Sequence, residues 1–189
     1  MQVYIETTPC MSERSRIFWI TAAQVFLGSL FFAACAQISI PLQPVPLSLQ
    51  TLAVFLLAIM QGGKKASLSV LLYLVECSMG LPFLAGGAIN PLWILGTNAG
   101  YLLAFPVAAY VVGKLVEMKE NPSALWVMIS IFCGQLIIYS LGVAFLSRFI
   151  GLKMSFYLGV LPFLPLAGLK LIVASSLSGL WVRWKHRLM

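Results

Sequence analysis

The chain has 189 residues, 61% hydrophobic and only 9% charged, with a mean hydropathy of +0.99 and a formal net charge of +7. That proportion of apolar side chains exceeds what one soluble core of this size can hide, which excludes a soluble enzyme, a disordered regulator and a nucleic-acid module. A bilayer-spanning helix takes ~20 mostly apolar residues, so roughly six would use about 120 positions. The expected fold is therefore an all-α integral membrane protein, a single domain of six transmembrane helices over residues 1–189.

The first ten residues carry no basic segment and no apolar stretch, so no cleavable signal is expected, and 1–15 reads as a short cytoplasmic segment. The first span runs from about Ile17 to Ile40, behind Arg14 and Arg16. It stops at PLQPVP (Pro41 to Pro46), because proline lacks the amide that a helix uses. A shorter apolar run, Leu47 to Met60, ends at Gln61-Gly62-Gly63-Lys64-Lys65. The third span covers Ala66 to about Leu84 and is followed by the glycine-rich AGGAINP. The fourth extends from near Gly96 to Val116, ahead of a polar turn through Glu117, Lys119, Glu120, Asn121 and Pro122. The fifth covers Ala124 to about Leu146, with Arg148 and Lys153 in the connector after it. The sixth covers about Leu158 to Val182, before a basic tail at 183–189.

Six spans place both termini on one side. That side holds nine basic residues (Arg14, Arg16, Lys64, Lys65, Lys114, Lys119, Arg183, Lys185 and Arg187), against two, Arg148 and Lys153, on the other. The bias predicts cytoplasmic termini in the cell (inner or plasma) membrane, with the lipid bilayer as surroundings. The first two external connectors, Ile38 to Gln50 and Gly80 to Gly100, carry no charge and are rich in Pro, Gly, Asn and Gln. Irregular backbone near membrane depth is tolerated where it is buried in protein or lines a cavity, so both connectors are expected to cap a pocket.

Catalytic chemistry is not indicated. There is no Walker A, HExxH or GxSxG motif, the lone His186 lies in the basic tail, and the four cysteines form no CxxC. The expectation is a non-enzyme with no metal, no covalently bound cofactor and no nucleic-acid partner. Two ionisable residues fall inside apolar spans, Glu76 in the third and Lys170 in the sixth. A charge at mid-membrane is expensive, so they either pair with each other or Lys170 serves as counter-charge to an anionic ligand. Asn98 and Tyr101 lie one turn apart at the start of the fourth span, while Asn90, Trp93, Gln43 and Gln50 lie in or beside the connectors. Amides donate and accept together, which suits a ligand with N–H and C=O groups; equally, they satisfy loop backbone. Trp93 and Tyr101 fit either a pocket or the aromatic belt at the membrane surface. Ser29 and Ala33 form a small-xxx-small pair that serves packing within the chain or a partner membrane protein.

The blocks AQISIPLQPVPLSLQTLAVFLLA (36–58), YLVECSMGLPFLAGG (73–87), LGTNAGYLLAF (95–105) and PFLPLAGLK (162–170) together resemble the BioY family. These are biotin-specific substrate-binding components of energy-coupling-factor transporters. The resemblance implies a subunit that binds biotin from outside, with Lys170 pairing the carboxylate and Asn98, Tyr101 and the glycine-rich connector at the pocket. It also implies the proline-rich connector as lid, and a partner module of a transmembrane coupling protein and two ATPases. Three positions depart from the family pattern: Ala167 stands where Asp is usual, Asn98 replaces Thr, and Glu76 replaces a small residue. These departures motivate an alternative, a carrier for another small carboxylate or vitamin.

Overall fold

The computed structural model describes residues 13–163 and Gly168. Lys170, Ala167, the basic tail and the expected sixth span beyond Phe163 lie outside the described residues. Within them the protein is helical: α1 (Glu13–Gln37), α2 (Gln50–Gln61), α3 (Gly63–Ser78), α4 (Ala99–Glu117), α5 (Ala124–Ile150) and α6 (Leu152–Gly159). A two-strand antiparallel hairpin, β1 (Ser39–Ile40) with β2 (Leu47–Ser48), interrupts them and pairs Ser39 with Ser48 and Ile40 with Leu47. Short 3₁₀ turns at Ala85–Gly87 and Trp93–Leu95 shape the second connector.

Among the described residues three helices, α1, α4 and α5, are long and apolar enough to cross a membrane. Their outward faces carry rows of large apolar side chains: Phe26, Leu27, Leu30 and Phe31 on α1, Leu103 and Val107 on α4, Ile129, Phe132 and Leu136 on α5. In water such a surface would drive association; in a bilayer it meets hydrocarbon of its own polarity. The inward faces are small. α4 presents Gly100, Ala104, Ala108, Ala109 and Gly113 and is packed between α3 and α5 while also touching α2. Phe32 on α1 packs on Tyr73 of α3 at 4.6 Å and on Phe105 of α4 at 5.8 Å, forming the aromatic centre of the core.

The helices differ from the expected spans in two places. α2 has 12 residues and α3 has 16, so at 1.5 Å per residue both are shorter than the ~30 Å hydrocarbon layer. Residues 152–157, read as connector, join the first two residues of the expected sixth span to form α6. Arg148, assigned to the same connector, lies in the last turn of α5. Gly151 (φ 79°) makes the break between the two helices.

The α2–α3 turn is locked against α4. The Gly63 N–H donates to Glu117 Oε1 at 2.8 Å, and Glu117 Oε2 accepts from Lys114 Nζ at 2.8 Å. A carboxylate at the start of α3 satisfies one of its open amides and complements the helix dipole. Gly113 allows the approach, since a Cβ there would strike the backbone of Gly62 and Gly63.

Candidate ligand site

At the opposite end of the bundle from this turn, the two uncharged connectors enclose a cavity of about 290 Å³. The size lies near the low end of small-ligand sites, roughly 300–1,000 Å³. One wall comes from the hairpin and the start of α2, through Val45, Pro46, Ser48, Gln50 and Thr51. A second comes from the second connector, including Leu84, Asn90, Trp93 and Thr97. α4 and α5 close the floor with Asn98, Tyr101, Phe105, Ile138 and Tyr139. None of the described lining residues is charged.

Hydrogen bonds fasten the connectors over this space. Thr97 Oγ1 donates to the Pro44 carbonyl at 3.1 Å, tying the proline-rich segment to the head of α4. Gln37 Nε2 reaches the Pro82 carbonyl at 3.2 Å, joining the end of α1 to the second connector. Ser48, Gln50, Tyr73 and the Phe83 carbonyl form a continuous chain from the hairpin to that connector.

Of the residues singled out in the sequence, Asn98, Tyr101, Asn90, Trp93 and Gln50 all line the cavity. Trp93 and Tyr101 are buried, at 7% and 6% exposure, so neither belongs to an aromatic belt at the membrane surface. Trp93 presents its ring while its Nε1–H donates to Ser78 Oγ at 2.9 Å. The Tyr101 hydroxyl donates to the Gly159 carbonyl at 3.0 Å, which docks α6 onto α4. Asn90 is exposed, and its Oδ1 accepts the Leu92 N–H at 3.1 Å, a turn-forming bond within its own loop. Asn98 Oδ1 is buried with no partner among the described residues.

The remaining candidates lie elsewhere. Gln43 is exposed in the hairpin loop and does not reach the cavity. Glu76 is buried between α1 and α3, where its Oε1 accepts from Ser29 Oγ at 3.0 Å, so it faces the bundle and not the cavity. Ser29 and Ala33 are buried, at 0% and 5% exposure. The small-residue pair therefore packs within the chain and is not an exposed partner surface. Lys170 lies outside the described residues. The cavity also uses Ser48, Thr51, Thr97 and Tyr139, which were not singled out. Thr97 adjoins Asn98, and Tyr139 is a polar aromatic in an otherwise apolar span, so both carried a readable signal.

A family model described as the BioY family matches residues 11–186. The chain is 37% identical over 165 residues to a probable biotin transporter BioY of Pyrococcus horikoshii, covering 84% of this chain and 98% of the relative. It is 38% identical over 144 residues to the biotin transporter BioY of Thermotoga maritima, covering 76% of this chain and 84% of that one. Among solved structures it is similar to the S-component for biotin from an ECF-type ABC transporter. The TM-score is 0.79 at 22% identity, over 94% of this chain and 95% of the other. At that identity the likeness concerns the fold.

Proposed function

The chain belongs to the BioY family, and from that premise we propose that it is the substrate-binding subunit of a biotin transporter. The observation that carries this reading is the uncharged, aromatic- and amide-lined cavity under two charge-free connectors, at the end of the bundle away from most basic residues. Biotin has a fused ring pair with an apolar face, a ureido group with donors and an acceptor, and a carboxylate tail. The Trp93 and Tyr101 rings suit the first and the amides suit the second. Lys170 pairs with the carboxylate. In this reading the chain crosses the cell membrane six times with both termini cytoplasmic, an orientation that the distribution of basic residues supports. With no nucleotide-binding motif of its own, the subunit works with an energising module of a transmembrane coupling protein and two ATPases.

The test is labelled-biotin uptake in cells without their own biotin importer. Expression of the chain with such a module is expected to restore saturable uptake that excess unlabelled biotin abolishes. Restored uptake of a different vitamin, with none of biotin, would replace the substrate. Restoration of neither would overturn the reading.

A further inference from the structure

The chain of hydrogen bonds between the connectors has a fixed polarity, and that polarity reaches the cavity. The Phe83 carbonyl can only accept, so the Tyr73 hydroxyl, 2.9 Å away, must give it its proton. The Tyr73 oxygen is left as acceptor toward the Gln50 amide at 2.8 Å, which requires Gln50 to turn its NH₂ that way. Gln50 Oε1 then faces Ser48, whose hydroxyl donates to it at 2.9 Å. Orientation of an amide is ordinarily a choice between two similar shapes; here a backbone carbonyl two bonds away makes it.

An NH₂ has two hydrogens. Tyr73 takes one, and no acceptor among the described residues takes the other. Gln50 is 5% exposed and lines the cavity, so among the described residues nothing competes with the cavity's occupant for the second N–H. We propose that Gln50 is a specificity-determining residue, donating this N–H to a carbonyl oxygen of the ligand, and that Tyr73 is the positioning residue that holds it as a donor. Resting on the biotin reading above, the oxygen is that of the ureido group, since the carboxylate belongs to Lys170. A buried donor left unmatched is costly, so this site rejects a ligand that presents a donor at the same place.

The experiment compares biotin with 2-iminobiotin, in which the ureido oxygen is replaced by a nitrogen bearing hydrogen. Affinities for both are measured on the full-length chain in detergent, for wild type, Gln50→Glu and Tyr73→Phe, with thermal midpoints recorded alongside. Wild type is expected to prefer biotin. Gln50→Glu, which turns the donor into an acceptor, is expected to shift the biotin-to-iminobiotin ratio toward the analogue by about tenfold or more. Tyr73→Phe is expected to shift it the same way by a smaller factor, because the amide becomes free to turn. Tyr73→Phe removes a single oxygen and decides the matter alone if Gln50→Glu does not fold. A ratio unchanged in both variants while wild type binds biotin overturns this inference and leaves the transport reading intact. A folded wild type that binds no biotin overturns both.

Discussion

Tyr101 enters the bundle through a slot that only glycine leaves open. A Cβ at Gly142 would strike its ring, and one at Gly159 its hydroxyl. The ring is thus fixed by α5 and the hydroxyl by α6, and what remains for a ligand is an apolar surface. Trp93 is handled the same way: Ser78 Oγ accepts its N–H and in turn donates to the Leu74 carbonyl at 2.9 Å. The spacing of Asn98 and Tyr101 marked them as neighbours of a site, but which of their atoms stay available depends on Gly142 and Gly159, far away in sequence. Lys170, a lone cation in an apolar run, reads from the sequence either as a partner for Glu76 or as the counter-charge of an anionic ligand, and the proposed function rests on the second. Lys170→Ala is expected to weaken biotin binding at least about tenfold, since losing one partner of a desolvated charge pair costs ~2–5 kcal/mol. Equal affinity in isothermal titration would put the carboxylate elsewhere.

At the scale of elements, legibility follows length. α1, α4 and α5 are set by long apolar runs bounded by prolines, glycines or charges, and their limits could be read within a few residues. Ser123 caps α5, its Oγ accepting the Trp126 N–H at 3.3 Å after Pro122 has broken the chain. The hairpin could not be read, because strands of two residues show no periodicity. Nor could α6: Lys153 and its neighbours read as a connector between spans, and only Gly151 marks where the helix begins. The small-residue pair in α1 was visible, but not that Ser29 faces Glu76; composition identifies a close-packing stripe without saying what it packs on. The α2–α3 turn on α4 gives a test at this scale. Gly113→Leu drives a side chain into the backbone of Gly62 and Gly63, and overpacking of this kind costs typically ~1–3 kcal/mol. A clear fall in the thermal midpoint of the purified chain is expected. An unchanged midpoint would show that the turn separates from α4 at little cost.

Over the whole molecule the two ends divide the work. The turns at one end, α2–α3 and α4–α5, are short, polar and partly basic, and are held by charge: Glu117 with Lys114 and Gly63, and Lys119 over the Trp126 ring at 4.1 Å. The other end has long uncharged connectors held by neutral hydrogen bonds around a cavity. Between them the exposed belt is apolar, as lipid requires. A protein so arranged offers a candidate ligand site at one face, as the proposed role of a substrate-binding subunit needs. The most direct measurement is calorimetric titration of biotin into the purified, detergent-solubilised chain, with no other subunit present. Saturable binding at one biotin per chain, with the heat lost when the cavity is already filled by unlabelled ligand, is the expected result. A chain that stays folded and binds no biotin would contradict the assignment of substrate and site together.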